Sequence, residues 1–488
     1  MDPATRFPHL SRRELMAALS GLATSARGAD GSHQASGVKA GEITPDSAVI
    51  WTRRTATVRR LDEGIRRRGH TPKAWKLKPG EDVNLFEGAC PGAAGEMRVS
   101  IEPVSGRGKR QTLAWAEARP ESGYAHQFRV QGLTADTEYR YSVETRGSRS
   151  GAVEPAVTGK LRTAPAAQSA SPVEFALLSC QMFHRMDTAT GFSVYSSIEK
   201  WNPNFLLGCG DNVYYDSEDP IVDSPTVARY HWERMFSLPK LESCLRNVPG
   251  YWQKDDHDYW DNDAFPGKAM SKIKTAPFTE EEGKRIFRQQ VPAPTTDQPL
   301  YRRFRWGSDV EIWLPEARDY RDANDAPDGP GKSLWGARQK KWIQETLLGS
   351  DARWKIMINP NPIVGPDHGQ KRDNHANPAF ATEGREFRQW LKDNVAGRVI
   401  VMNGDRHWQY HSIDPETGLH EFGCGPASDE HAVPPSGGED KRYHRFLRIK
   451  GGFVAVKVDP GSRGEHLVIE HRDMMGTTVN RVVYPRPA

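Results

Sequence analysis

Apolar positions fall into two regimes along the chain. In the second regime four near-continuous apolar runs stand out: Val173 to Ser179, Phe205 to Leu207, Trp354 to Ile358 and Arg398 to Met402. Runs that short without alternation read as strands covered on both faces. Between them, Val194, Ile198 and Trp201 recur at helical spacing, as do Phe387, Trp390 and Leu391. Ser333 can cap a further helix that runs through Trp342, Ile343 and Leu347 to a stop at Gly349. Strands alternating with helices predict an α/β arrangement. From about Glu421 strands return (Gly452 to Val458, His466 to Glu470, Val479 to Tyr484) and are expected to add antiparallel strands to a second sheet.

The first regime, Ser36 to about Thr163, is strand-like throughout. Ala48 to Trp51, Met97 to Ile101, Tyr124 to Val130 and Tyr139 to Val143 are short, partly alternating runs with turn residues between them. Gly132 to Tyr141 looks like the strand-turn-strand corner of a fibronectin type III-like sandwich. The base-rich insertion from Arg53 to Lys78 reads either as a solvated loop or as a polyanion contact. Its single aromatic, Trp75, and its lack of phosphate-cradling glycines favour the loop. Ala164 to Pro172 is small, polar and proline-flanked, and is the natural linker.

Composition narrows the class. A length of 488 residues allows about three domains, or two with one large. A net charge of +4 gives no argument for nucleic acid as a partner, and no nucleic-acid-binding module is expected. No apolar run approaches the ~20 residues of a membrane span, so no transmembrane segment is expected. Cys90, Cys180, Cys209, Cys244 and Cys424 are too few and too irregular for a disulfide framework or a CxxC zinc site. At the N-terminus, Arg12-Arg13 heads a weakly apolar Ala/Leu/Gly run that ends in small residues at Ala26. That pattern reads as a twin-arginine export signal, although Ser11-x-x-Glu14 is also a capping box. The expected organisation is a signal segment over 1–30, a β-sandwich over 36–163 and a catalytic domain over 172–488.

The candidate chemistry sits just past the buried strands. Ser179-Cys180-Gln181 follows the first, Gly210-Asp211-Asn212-Val213-Tyr214 the second and Gly404-Asp405-Arg406-His407 the fourth. Ligands of open α/β sheets bind beyond the carboxyl ends of the strands, so these residues are expected on one rim. Asp255-Asp256-His257-Asp258, flanked by Trp252 and Trp260, crowds carboxylates beside apolar groups. Such crowding is tolerated where cations neutralise it. Two metal ions about 3.5–4 Å apart supply what phosphate-ester hydrolysis needs: an activated water, neutralised phosphoryl oxygens and a stabilised leaving oxygen. Carboxylate and amide oxygens favour Ca²⁺, Mg²⁺ or Mn²⁺, whereas imidazole and thiolate favour iron or zinc. Ionising a tyrosine at pH 7 costs about 4 kcal/mol, which a ferric ion offsets.

With these residues in order, the chain resembles the alkaline phosphatase D (PhoD-like) family of metallophosphatases. Gly41 to Arg53 is similar to the opening of that family's N-terminal β-sandwich. Ser179-Cys180-Gln181, Gly210-Asp211-x-x-Tyr214, Asp255-Asp256-His257-Asp258-x-x-x-Asn262 and Gly404-Asp405-x-His407 are similar to its successive metal motifs. The resemblance implies a metallophosphatase-type α/β sandwich of two mixed sheets flanked by helices, preceded by an all-β fibronectin type III-like domain. It implies Fe³⁺ held by Cys180, Asp211, Tyr214 and His407, with Asp211 bridging to Ca²⁺ that Asn262 and Asp405 also bind; Zn²⁺, Mn²⁺ or Mg²⁺ are alternatives. His257 is implied to contact phosphate or leaving group. Asp256 stands where an asparagine of that motif would, which leaves open whether Asp256 or Asn262 is the ligand. Arg318, in a departure from the family's Leu-Asp-x-Arg, reads as a phosphate contact or a structural ion pair. Asn361 to Asp367 and Lys371 to His375 are expected to shape the pocket.

The expectation is thus an exported phosphoesterase, periplasmic or extracellular, with an alkaline optimum. It would hydrolyse small phosphomonoesters and/or phosphodiesters through a metal-bound hydroxide, and would depend on the twin-arginine machinery for export. A rival reading is a secreted non-catalytic binding protein with a degenerate hydrolase domain, which predicts no metal and no turnover. A second is an iron oxidoreductase built on the Cys/Tyr/His set.

Overall fold

The computed structural model describes residues 31–66, 74–105, 108–395 and 399–487. The twin-arginine segment expected over 1–30 lies outside them, as does part of the basic insertion. Strands among the described residues form three sheets. The first has the order β21 (Thr478–Tyr484), β20 (Leu467–Arg472), β19 (Phe453–Val458), β9 (Val173–Leu178), β10 (Phe205–Cys209), β11 (Gly250–Gln253), β1 (Val38–Gly41), β2 (Ser47–Arg53), β6 (Ala125–Gln131). The second runs β12 (Arg302–Trp306), β13 (Val310–Leu314), β14 (Trp354–Asn359), β15 (Val399–Asn403), β17 (His420–Cys424), β16 (Gln409–Ile413), β18 (His444–Arg448). The third runs β4 (Gln111–Thr112), β3 (Gly95–Pro103), β7 (Glu138–Arg146), β8 (Val157–Arg162), with β5 (Ala116–Ala118) paired to β3. The α-helices among the described residues are α1 (Ser193–Trp201), α2 (Pro225–Phe236), α3 (Pro239–Asn247), α4 (Glu280–Gln290), α5 (Gly336–Leu348) and α6 (Ala381–Val395).

The continuous apolar runs become strands with two covered faces. Phe175, Leu177, Phe205 and Leu207 face the second sheet's Ile356, Ile358, Ile400 and Met402 in one core. Their neighbours Ala176, Leu178 and Leu206 pack under α1 to α4, while Met357, Val399 and Val401 pack under α5 and α6. The result is helices, sheet, sheet, helices. Each such Leu, Ile or Phe contributes about 1.5–3 kcal/mol by leaving water. Strands β9, β10 and β11 are parallel, as are β13, β14, β15 and β17, so their carboxyl ends point the same way within each sheet.

Two features differ from the sequence expectation. The last strands, β19 to β21, join the first sheet beside β9 rather than a second one. The reason is in β19, where Val454, Val456 and Val458 enter the inter-sheet core while Phe453 and Ala455 pack under the helices. Only an interior position covers both faces. The second difference is the start of α5 at Gly336; Ser333 still serves it, its Oγ accepting the N–H of Gly336 at 2.8 Å.

The N-terminal sandwich packs β1, β2 and β6 against the third sheet through Ile50, Phe128 and Val130 on one side and Val99, Tyr141 and Val143 on the other. Tyr139 Oη accepts the N–H of Thr134 at 2.8 Å, a tyrosine corner at the turn the sequence marked. This sandwich is not a separate bead. β1 runs parallel to β11 with Gly41 opposite Gly250, so the sandwich sheet continues the catalytic sheet edge to edge. A Cβ on Gly41 would lie 2.3 Å from the Gly250 carbonyl oxygen.

Candidate metal centre

The strand ends deliver side chains onto one rim, which two sheets share. Cys180 and Asp211 arrive from β9 and β10, and the Asp255–Asp258 loop from β11, all in the first sheet. Asn361, Asp405 and His407 arrive from β14 and β15 in the second. Gly404 permits the meeting, because a Cβ there would lie 2.2 Å from Ser179 Oγ and 2.6 Å from the Cys209 carbonyl oxygen. Cys180, Asp211 and Asp405 share a left-handed backbone, with φ of 55°, 52° and 59°. Non-glycine residues in that region cost of order 1–3 kcal/mol and concentrate at functional sites.

Among the described residues, three overlapping clusters of metal-ligating atoms result. The ligand atoms of Cys180, Asp211 and His407 lie within 4.8 Å of one another, as do those of Asp211, Asp256 and His257, and those of Asp256, Asp263 and Asp373. Asp211 belongs to the first two clusters and Asp256 to the last two. Cys180 Sγ is 3.5 Å from Asp211 Oδ2, and the Tyr214 hydroxyl donates to the same oxygen at 3.0 Å. Cys180, Asp211, Tyr214 and His407 are therefore brought together. Asp256 is placed beside Asp211, whereas Asn262 turns its backbone to Asp216 and Lys268. Asp405 lies outside the three clusters, bonded to Arg406 and accepting from Asn361 Nδ2 at 3.3 Å.

Of the two readings of Arg318, the ion pair is the one with visible partners. Its side chain is fully buried beneath the site, with Nε 2.5 Å from Asp255 and Nη2 3.6 Å from Asp256 and 3.5 Å from Asp373. These ion pairs hold Arg318 among the carboxylates that face it. Glu316, where the sequence departs from the family's motif, is likewise ion-paired. It takes the buried Lys254 at 2.5 Å and accepts the N–H groups of Arg318 and Asp319.

Electrostatics bear on whether these residues fit a cation. Burial, joined by Asp211, pushes the Cys180 thiol well up, and burial likewise pushes up the Tyr214 phenol and the Asp211 carboxyl. Burial also keeps His407 neutral, well below its usual range. Asp211 Oδ1 is buried without a hydrogen-bond partner. An orphaned carboxylate oxygen amid thiol, phenol and neutral imidazole is the donor set of a metal centre, since a cation favours the ionised form of each acid. Burial raises Asp405 to about 8.

Sequence reasoning missed several contributors. Asp216, buried, stands 2.6 Å from His257 Nδ1 and also accepts from Asn262 N–H and Ser217. Burial opposes charge on His257, but Asp216, Asp256 and Asp211 outweigh it and lift its pKa well above normal. Lys371 pairs with Asp263 at 2.5 Å and Arg406 with Asp367 at 2.8 Å, supplying positive charge beside the third cluster. His431 packs its ring 4.0 Å from that of His407. Asp216 lies in the loop already bearing Asp211 and Tyr214, and Lys371 and Asp367 lie in the segments expected to shape the pocket, so for these the sequence held a usable signal.

Four layers with acids, a thiol, a phenol and imidazoles at the strand ends define a hydrolase of the metallophosphatase class. A PhoD-like phosphatase model matches residues 175–448 and a PhoD-like phosphatase N-terminal domain model matches 21–165. The chain belongs to the PhoD-like phosphatase family. It is 20% identical over 479 residues to alkaline phosphatase D of Bacillus subtilis (strain 168), a match that covers 87% of this chain and 75% of that one. The fold is that of the solved structure of PhoD, with a TM-score of 0.70 and 18% identity, covering 94% of this chain and 90% of that chain. It is also similar to the purple acid phosphatase PPD1 from yellow lupin (Lupinus luteus) seeds, with a TM-score of 0.59 and 12% identity, covering 92% and 74%. No helix among the described residues is long and apolar enough to cross a membrane.

Proposed function

We propose that the chain is an exported metallophosphoesterase that hydrolyses small phosphomonoesters and/or phosphodiesters at a centre of two or more unlike cations. The observation that carries this reading is the position of Asp211, with Cys180, Tyr214 and His407 around it and Asp256 and His257 on its other flank. Cys180, Asp211, Tyr214 and His407 would hold the first ion, of which Fe³⁺ best suits a buried phenolate. Asp211, Asp256 and Asp405 would serve Ca²⁺ or a similar hard ion, with Asn262 a further candidate. When bound, such a pair of ions supplies an activated water and neutralises the phosphoryl oxygens.

The chain's own groups do the rest. Asp216 accepts a hydrogen bond from His257 Nδ1–H and holds the ring in one orientation. In its protonated form, which Asp216 favours, His257 would carry its other proton on Nε2, available to the leaving oxygen. Arg318, Lys371 and Arg406 offset the carboxylates, so the cluster stays assembled around an anionic substrate. Export rests on the Arg12-Arg13 pattern before Ala26.

Elemental analysis and a visible spectrum of the purified protein test the centre. Iron with a charge-transfer band that Tyr214→Phe removes is the expected result; a colourless, iron-free protein overturns the ferric assignment. Asp211→Asn is expected to lower hydrolysis of chromogenic mono- and diesters by more than the 10- to 100-fold typical of residues that merely support a ligand. Substantial remaining activity would mean that the site lies elsewhere.

A further inference from the structure

The segment that leaves β17 touches both walls of the metal pocket. Pro426 forms an isolated bridge with Ser179, at the end of β9. Ala427 N–H then donates to the Cys180 carbonyl at 3.3 Å, and Val433 N–H donates to the His407 carbonyl at 3.0 Å. His431 stands between these two anchors. Its Nδ1 lies 3.0 Å from the same Cys180 carbonyl, its ring 4.0 Å from that of His407 and 5.4 Å from that of Tyr214. A carbonyl only accepts, so Nδ1 carries the proton.

The contact with Cys180 bears on a strained residue. Its φ of 55° is one that a side chain tolerates only where neighbours over-determine it. Two hydrogen bonds from residues 427 and 431 do so. The thiol comes from the first sheet and the imidazole from the second, so nothing in either sheet's own pairing registers one against the other. The strap that bonds both carbonyls does.

We propose that His431 is a positioning residue, fixing the backbone of Cys180 and the ring of His407 relative to each other so that the two address one cation. This rests on reading both residues as ligands, and it adds a requirement that the ligand set alone does not contain.

Two variants separate the contacts. His431→Phe keeps a ring against His407 and removes the donor; His431→Asn keeps an N–H for the Cys180 carbonyl. In the metal-free full chain, alkylation of Cys180 by iodoacetamide, followed by peptide mass spectrometry, is expected to run about tenfold faster in His431→Phe, the factor one lost hydrogen bond gives. His431→Asn is expected to restore protection. Cys90, Cys209, Cys244 and Cys424, also buried, act as internal controls for the fold. With Co²⁺ as the probe ion, His431→Phe is expected to bind about tenfold more weakly, with a shifted thiolate charge-transfer band.

Equal alkylation rates and equal cobalt spectra in wild type and His431→Phe would overturn the proposal. So would acceleration at all five cysteines in both variants, which would mark a general packing role. If the wild-type chain binds no cobalt, the metal reading of the site fails, while the alkylation comparison still decides whether His431 holds Cys180.

Discussion

Asp216 and His257 form the pair on which proton delivery turns in the proposed mechanism. With 2.6 Å between them and Asp216 buried, the carboxylate both orients the ring and favours its charged form. Asp216→Asn preserves an acceptor for Nδ1 and removes the charge, so kcat is expected to fall about 100-fold, the scale of a general acid's contribution, with KM little changed. The sign of the pH effect follows. If protonated His257 is the active form, activity is lost as pH rises through its pKa, and removing Asp216 lowers that pKa. The alkaline limb of the kcat profile is therefore expected to move to lower pH, and a limb that stays in place would assign the proton to another group. At this scale the sequence was informative where chemistry abuts a strand end. Cys180, Asp211 and His407 each come within four residues of a buried strand, so strand periodicity located them. Asp216 and His431 gain their roles from how loops fold over the rim, which no spacing encodes.

Arg318 shows what an element's interior demands. The β13–α5 connection sends this arginine under the rim, where Asp255, Asp256 and Asp373 converge on it. Removing one partner of a buried ionic group costs about 3–5 kcal/mol, because the charges left behind are unpaired. Arg318→Met is accordingly expected to destabilise the metal-free protein by that amount in urea unfolding, and to weaken metal binding as Asp256 takes up a proton. A loss below about 1 kcal/mol, the value of an exposed pair, would show that solvent reaches the guanidinium. Strands and helices were legible here because both faces of the four runs had to be apolar. The sharing of strands between sheets was not: β19 has the same apolar text whichever sheet it joins, and pairing partners are decided by the packing of distant segments.

Stability of the whole molecule carries a signature of its buried histidines. His471 is held neutral by burial, its pKa down to about 4, with Nε2 3.2 Å from the Gly423 carbonyl oxygen. Unfolded, it would accept a proton near pH 6.5. The unfolded state thus binds more protons between those values, and the contribution of His471 falls as pH drops from 6.5 toward 4. The stability difference between wild type and His471→Asn is expected to shrink by about 1.5 kcal/mol from pH 6.5 to 5, the slope rising toward about 1.4 kcal/mol per unit. Urea midpoints at the two pH values check this, and a constant difference would mean that the ring titrates normally.

The Gly41–Gly250 junction has its own implication for how this molecule is divided. Severing the chain in the 164–172 connector would not release two finished proteins. Each piece would present a bare row of amides and carbonyls along a torn sheet margin, so co-expressed halves ought to seek each other, and a solitary half ought to clump with its own kind.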